Sequence, residues 1–233
     1  MPANNSLSSP NPLRDSGGPR NGRPVAGPFA DRTRPYVIGL TGGIGCGKSE
    51  AARYLESLGA ARFDADEVSR ALTAPGGVAL PAIREKFGDG VFDADGALNR
   101  AALAKIVFSS APHRRVLEGI LHPLVQREML DRLDAAARAG EKVVILDVPL
   151  LLETGMDALC DETWALYVDR EMQISRVAAR DGLSREDAEA RIDSQMSTEA
   201  RNARATHAIN TDQPVERTRA ELSQLYHAAL KRA

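Results

Sequence analysis

The 233-residue chain is poor in cysteine, in aromatic side chains and in excess charge of either sign, and each shortage closes off a class of function. Its two cysteines, Cys46 and Cys160, have neither CxxC nor Cys/His spacing. That excludes a disulfide scaffold and a structural zinc site, and it points to a reducing, cytoplasmic setting. Aromatics make up 4% of the residues, and 30 basic against 32 acidic side chains leave a formal net charge of −2. A surface dedicated to nucleic acid needs a basic face or stacking platforms, so no nucleic-acid partner is expected. No run approaches the roughly 18 consecutive apolar residues of a membrane span, and no membrane association is expected. Four histidines without ligand spacing, and no GxSxG or HExxH, remove support for zinc chemistry and the common nucleophilic hydrolases. Asp93-Ala-Asp-Gly96 lacks the later ligands of a calcium loop and reads as a turn.

What is present divides unevenly. Residues 1–35 hold seven of the 13 prolines and carry five arginines against two acids, with no apolar periodicity. Such a segment cannot offset the entropy of ordering and is expected to be a disordered tail. From Tyr36 onward short apolar runs alternate with helical stretches. The strand candidates are Tyr36 to Leu40, Ala61 to Phe63, Val143 to Leu146, Trp164 to Val168 and a remnant at Ala208-Ile209. Ser49 to Leu58 reads as a helix with Ala51, Ala52, Leu55 and Leu58 on one face. This alternation predicts an α/β fold, a doubly wound parallel sheet of five strands with crossover helices. Two stretches exceed a simple crossover: Glu67 to Lys142, read as all-helical with a new helix starting at Pro123, and Glu171 to Thr206, rich in arginine.

Gly42-Gly-Ile-Gly-Cys-Gly-Lys-Ser49 satisfies G-x-x-x-x-G-K-[ST] between a predicted strand and a predicted helix. Its glycines let successive N–H groups converge on phosphate oxygens, and the helix start adds unpaired donors and a positive dipole end. The whole loop, Gly42, Gly43, Ile44, Gly45, Cys46, Gly47, Lys48, Ser49 and Glu50, is therefore assigned to ATP. Lys48 reaches the β- and γ-phosphates and Ser49 ligates Mg²⁺. Glu50 suits the helix dipole but must turn its carboxylate outward, leaving its N–H to the phosphates.

Transfer to an acceptor needs a further group. Asp66 follows the second strand, at the carboxyl edge where open parallel sheets bind ligands, and is the candidate base. Its competitor role, helix capping, falls to Asp64, with Glu67 three residues on. Asp147 closes the Val143 to Leu146 strand and is a candidate for the magnesium shell, with capping of the next turn as the alternative. Arg176 and Arg180 read either as a solvated helix face or as a lid that neutralises the transferring phosphoryl group, Arg180 being preferred. The loop alone also suits a kinase of nucleotides or sugar acids. A GTPase-like switch is disfavoured, because neither an NKxD reader nor a DxxG follows.

Several separated blocks resemble one family, the dephospho-CoA kinases. They are Ile38 to Ser49, Phe63-Asp-Ala-Asp66, Leu98-Asn-Arg100 with Phe108 and Leu121-His-Pro123, Val148-Pro-Leu-Leu-Leu-Glu153, and Arg176, Arg180, Arg191-Ile192 and Gln195. The resemblance runs from about Tyr36 to the end of the chain. It implies transfer of the ATP γ-phosphoryl group to the ribose 3′-hydroxyl of dephospho-CoA, with ATP and Mg²⁺ as donor and metal. It implies a P-loop core of residues 36–66, 143–170 and 206–233, a dephospho-CoA-binding insertion at 67–142 and a lid at 171–205. Asp66 is then the base, and Arg100 and His122 are polar candidates for the acceptor pocket. One departure stands out: the family's Asp and Asn near the last strand are Thr206 and Thr211 here.

Overall fold

Tyr36–Gly42 forms the central strand, β1, because Val37, Ile38 and Leu40 are apolar on both faces and can be buried on both. The computed structural model describes residues 34–233, so the tail expected to be disordered lies outside the described residues up to position 33. Arg34 already belongs to the fold, since it pairs with Asp161 at 2.7 Å. The other strands are β2 (Ala61–Asp64), β3 (Val143–Asp147), β4 (Glu162–Tyr167) and β5 (His207–Asn210). All pair in parallel in the order β2-β3-β1-β4-β5. Chain order therefore reverses at β1, and the crevice beyond its carboxyl end is a topological switch point.

Helices cover both faces. On one, α1 (Lys48–Ser57) and α9 (Val215–Leu230) bury Ala51, Ala52, Leu55, Leu222 and Tyr226 against Ile38, Leu40, Ile145, Trp164 and Ile209. On the other, α2 (Ala65–Leu72) and α5 (Ala111–Ala139) bury Val68, Val125, Met129 and Leu133 against Val37, Val144 and Leu146. The alternation of strand neighbours between the two clusters is the period-two signature of a doubly wound sheet. A third cluster, around Ile83, Leu103 and Val107, joins α3 (Leu80–Phe87) and α4 (Arg100–Ser109) to α5. After β4 come α6 (Arg170–Asp181), α7 (Arg185–Asp193) and α8 (Thr198–Arg204). Among the described residues, no helix is long and apolar enough to cross a membrane.

One expectation fails. Pro123 does not begin a helix; it lies inside α5, which runs unbroken from Ala111 to Ala139. An interior proline costs about 3 kcal/mol. Here both halves of the helix are pinned by apolar packing, the partly buried Leu117, Ile120 and Leu121 before the proline and the buried Met129, Leu133 and Ala136 after it. Apolar burial at about 1.5–3 kcal/mol per large side chain outweighs that cost.

Candidate active site

The chain leaves β1 at Gly42, turns through Gly43–Gly47 and enters α1 at Lys48. Gly45 (φ 77°) and Gly47 (φ 84°) take the left-handed conformation that curls the turn, and this is why the loop needs glycine there. The amides of Gly45, Gly47 and Ser49 make no hydrogen bond to other groups among the described residues, and no side chain caps α1. They converge at a helix start, where an anion is favoured. The turn is braced by its surroundings: Thr211 donates its hydroxyl to the Cys46 carbonyl at 2.8 Å, and Cys46 N–H donates to Gly43 at 3.2 Å. Burial raises the Cys46 thiol pKa, so it stays protonated and serves as packing rather than as a nucleophile. Glu50 turns outward to Arg53 and Arg219, at 3.0 and 2.7 Å. Its N–H donates to the Gly47 carbonyl at 3.0 Å in the first turn of α1.

Beside the loop, strand register brings three acids to the carboxyl edge. Asp147 is the Cα partner of both Leu40 in β1 and Asp64 in β2. It is 0% exposed, and it pairs with Lys48 Nζ and with Arg62, whose Nη2 lies 2.7 Å away. A buried carboxylate requires such cations. Asp64 is fully used: it caps α2 by accepting from Asp66 and Glu67 N–H at 2.8 and 3.2 Å and also pairs with Arg62. Asp66, in the first turn of α2, makes no side-chain hydrogen bond or ion pair among the described residues. Its carboxyl is solvent-accessible, yet neighbouring protein mass partly desolvates it. That desolvation, with the Asp64 charge, raises its pKa above the ordinary carboxylate value, although Lys48 and Arg70 pull the other way. A base shifted toward neutrality abstracts protons better than an ordinary aspartate. The edge therefore carries a free carboxylate within the field of the loop lysine.

A sequence profile described as dephospho-CoA kinase matches residues 36–216. The chain belongs to the dephospho-CoA kinase family. It is 44% identical to the dephospho-CoA kinase of Symbiobacterium thermophilum over 193 residues, 83% of this chain and 81% of that one. With that of Geobacter sulfurreducens it shares 41% identity over 190 residues, 82% of this chain and 96% of the relative. The solved dephospho-CoA kinase from Campylobacter jejuni superposes with a TM-score of 0.65 at 25% identity, covering 84% of this chain and 97% of that chain. Membership makes the protein a kinase with ATP as co-substrate.

Other residues expected from the dephospho-CoA kinase resemblance are placed less uniformly. Arg176 lies over the loop: a Cβ built on Gly45 would meet its Cβ at 3.8 Å, and its guanidinium has no partner among the described residues. Arg180, preferred from sequence, is exposed one turn on and held by Asp181 at 2.7 Å, as is Arg191 at 2.9 Å. Arg100 donates to Thr73 Oγ1 at 2.8 Å and to the Arg70 carbonyl at 3.1 Å, tying α4 to the end of α2. His122 is exposed near the middle of α5.

Three residues beside the loop were missed as site candidates. Arg62 bridges Asp64 and Asp147; a strand position with an odd charge facing a predicted carboxylate was the available hint. Arg201, in α8, is 2% exposed, and its Nη1 would lie 3.4 Å from a Cβ on Gly43. It reaches the Met196 carbonyl at 2.8 Å and Glu153 at 3.7 Å, while its buried Nε has no partner among the described residues. Nothing in the sequence separates it from the exposed arginines around it. Gln173 is 5% exposed and donates to the Ile44 carbonyl at 2.7 Å; an amide among apolar helix positions gave no signal.

Proposed function

We propose that this chain transfers the γ-phosphoryl group of ATP to the ribose 3′-hydroxyl of dephospho-CoA, giving CoA and ADP, in the cleft between the Gly42–Ser49 loop and the start of α2. The observation that carries the reading is Asp66: unlike Asp64 and Asp147 it has no side-chain partner among the described residues, and it is close enough to Lys48 to feel its charge. Asp66 accepts the hydroxyl proton as the oxygen approaches the phosphorus, while the loop amides and Lys48 hold the donor phosphates in line. Lys48 must first leave Asp147. Arg62 keeps the buried Asp147 charge compensated when it does, so the exchange does not strand an unpaired anion. Arg176 then faces the charge that develops on the transferring group, and Arg180 can follow only by releasing Asp181.

Magnesium suits this donor set. The Ser49 hydroxyl makes no hydrogen bond among the described residues, and Asp147 supplies a hard oxygen at the same edge. Two protein ligands are enough, because Mg²⁺ completes its shell with waters and phosphate oxygens. When bound, the ion would neutralise charge on the donor phosphates. The helices α2 to α5 form the acceptor side, with Arg100 and His122 toward the substrate. The P-loop core comprises residues 36–66, 143–170 and 206–233, the insertion 67–142 and the lid 171–205. The setting is a reducing cytoplasm, supported by two unpaired cysteines.

The test offers purified protein ATP and Mg²⁺ with dephospho-CoA, AMP, CMP, dTMP, shikimate or gluconate in separate reactions. ADP release with dephospho-CoA alone is expected. Release with one of the others and none with dephospho-CoA would end the assignment.

A further inference from the structure

Ile44, in the phosphate loop, is gripped by the segment after β4 through its main chain and its side chain together. Its N–H donates to Gln195 Oε1 at 2.8 Å, and its carbonyl accepts from Gln173 Nε2 at 2.7 Å. Its side chain packs on the buried cluster of Ile174, Val177, Ala188 and Ile192 in α6 and α7. With the Ile44 N–H given to Gln195 and its carbonyl taken by Gln173, two successive peptide units are fixed and that N–H is occupied, so the other loop amides are left for phosphate. The contact continues one turn along α6, where Val177 Cγ2 would come within 2.9 Å of a Cβ on Gly45 and Arg176 lies just beyond. The base of the expected lid is thus built onto the loop rather than hinged beside it.

We propose that Gln173, from α6, and Gln195, from the turn between α7 and α8, are positioning residues that lock the Ile44 backbone beneath α6 and thereby set the reach of Arg176 toward the transferring phosphoryl group. The loop, α6, α7 and the turn after α7 are thereby held as one unit, because Ala188, Ile192 and Gln195 join Gln173, Ile174 and Val177 in the contact. The chemistry of the clamp is directional. Position 195 must accept from an N–H, which a carboxylate also does. Position 173 must donate to a carbonyl, which a carboxylate cannot. The inference rests on Arg176 serving the transferring group as proposed above.

The experiment measures kcat, the KM for ATP and thermal stability of the full chain with dephospho-CoA. The variants are Gln195→Ala, Gln195→Glu, Gln173→Glu and Gln173→Met, the last removing the donor without burying a charge. Each is also combined with Arg176→Ala. Gln195→Ala and both Gln173 variants are expected to lower kcat about tenfold or more, with a smaller change in KM. Gln195→Glu is expected to recover most of what Gln195→Ala loses. In the Arg176→Ala background the Gln173 variants should add little, since they act through that arginine. Equal damage from the two glutamates, losses that follow melting temperature alone, or full multiplication with Arg176→Ala would overturn the clamp. If Arg176→Ala by itself leaves kcat unchanged, the arginine reading fails, and the clamp falls with it. A normal loss from Arg176→Ala beside symmetric glutamine effects would sink the clamp alone.

Discussion

Asp147 and Glu162 are both buried carboxylates on one sheet, and they sit at its opposite ends. Asp147 closes β3 at the carboxyl edge and is 0% exposed; Glu162 opens β4 at the amino edge and is 5% exposed. Glu162 pairs with Arg232 and accepts from Tyr36 Oη and Trp164 Nε1, each at 3.0 Å. Beside it, burial pushes His207 below its usual pKa and keeps it neutral. Asp147 is held by Lys48 and Arg62. The same physics, compensation of a buried charge, operates at both ends. The difference lies in what else the partners can bind. Arg232, Tyr36 and Trp164 lie away from the phosphate loop, so binding of a nucleotide leaves that network in place. In the proposed reaction Lys48 has a second claimant in a polyphosphate, so its pairing with Asp147 is the exchangeable one, and the proposed catalytic residues lie at that end.

The largest effect that would sharpen this contrast is expected from Asp66→Asn, which should lower turnover by about 10²–10⁴ while sparing ATP affinity. Steady-state assays paired with calorimetric ATP binding read both; near-normal turnover would remove the base assignment. Next comes a swap of the two ends. Asp147→Asn should cut kcat/KM by more than about tenfold, whereas Glu162→Gln should leave it intact and cost about 1–3 kcal/mol in chemical denaturation. Equal kinetic damage from both would break the comparison. Gly43→Ala tests the crowding at the loop. Its added Cβ would meet Gln173 Nε2 at 2.7 Å, and the resulting shift should cost about 1–3 kcal/mol, seen as a raised KM for ATP with the fold retained by circular dichroism.

The smallest effect concerns pH. The raised pKa of Asp66, caused first by desolvation and then by Asp64, means the base is protonated at higher pH than an ordinary aspartate. Activity is therefore present above that pKa and lost as pH falls through it, so the acid limb of kcat/KM should lie above the free-aspartate value of 3.8. Asp64→Asn keeps a capping oxygen but removes the like charge, and it should move the limb toward lower pH. A limb that stays in place would assign the shift to desolvation alone.

Much of the site was readable because it is contiguous. Gly42 to Ser49 carries its own turn, its own donors and its own helix start, and the carboxyl ends of β2 and β3 announce Asp64, Asp66 and Asp147 by following short apolar runs. The misses share a different origin. Pro123 stays inside α5 because two clusters far apart in sequence bury the helix on both sides of it. Gln173 and Arg201 matter because α6 and α8 pack onto a loop far earlier in the chain, 129 residues away in the Gln173–Ile44 contact. Sequence preferred Arg180 over Arg176, and only the fold shows that Arg176 is the one that lies over Gly45.

Amino-acid order by itself thus determined the phosphate loop, the alternation of strands with helices and the acids at the strand ends, since each depends on neighbours a few residues away. Which cations compensate Asp147, which arginine overhangs the loop and which amides hold Ile44 were decided by tertiary packing. Those pairings join segments distant in the chain, and their energies arise only when burial removes the water that would otherwise serve each group.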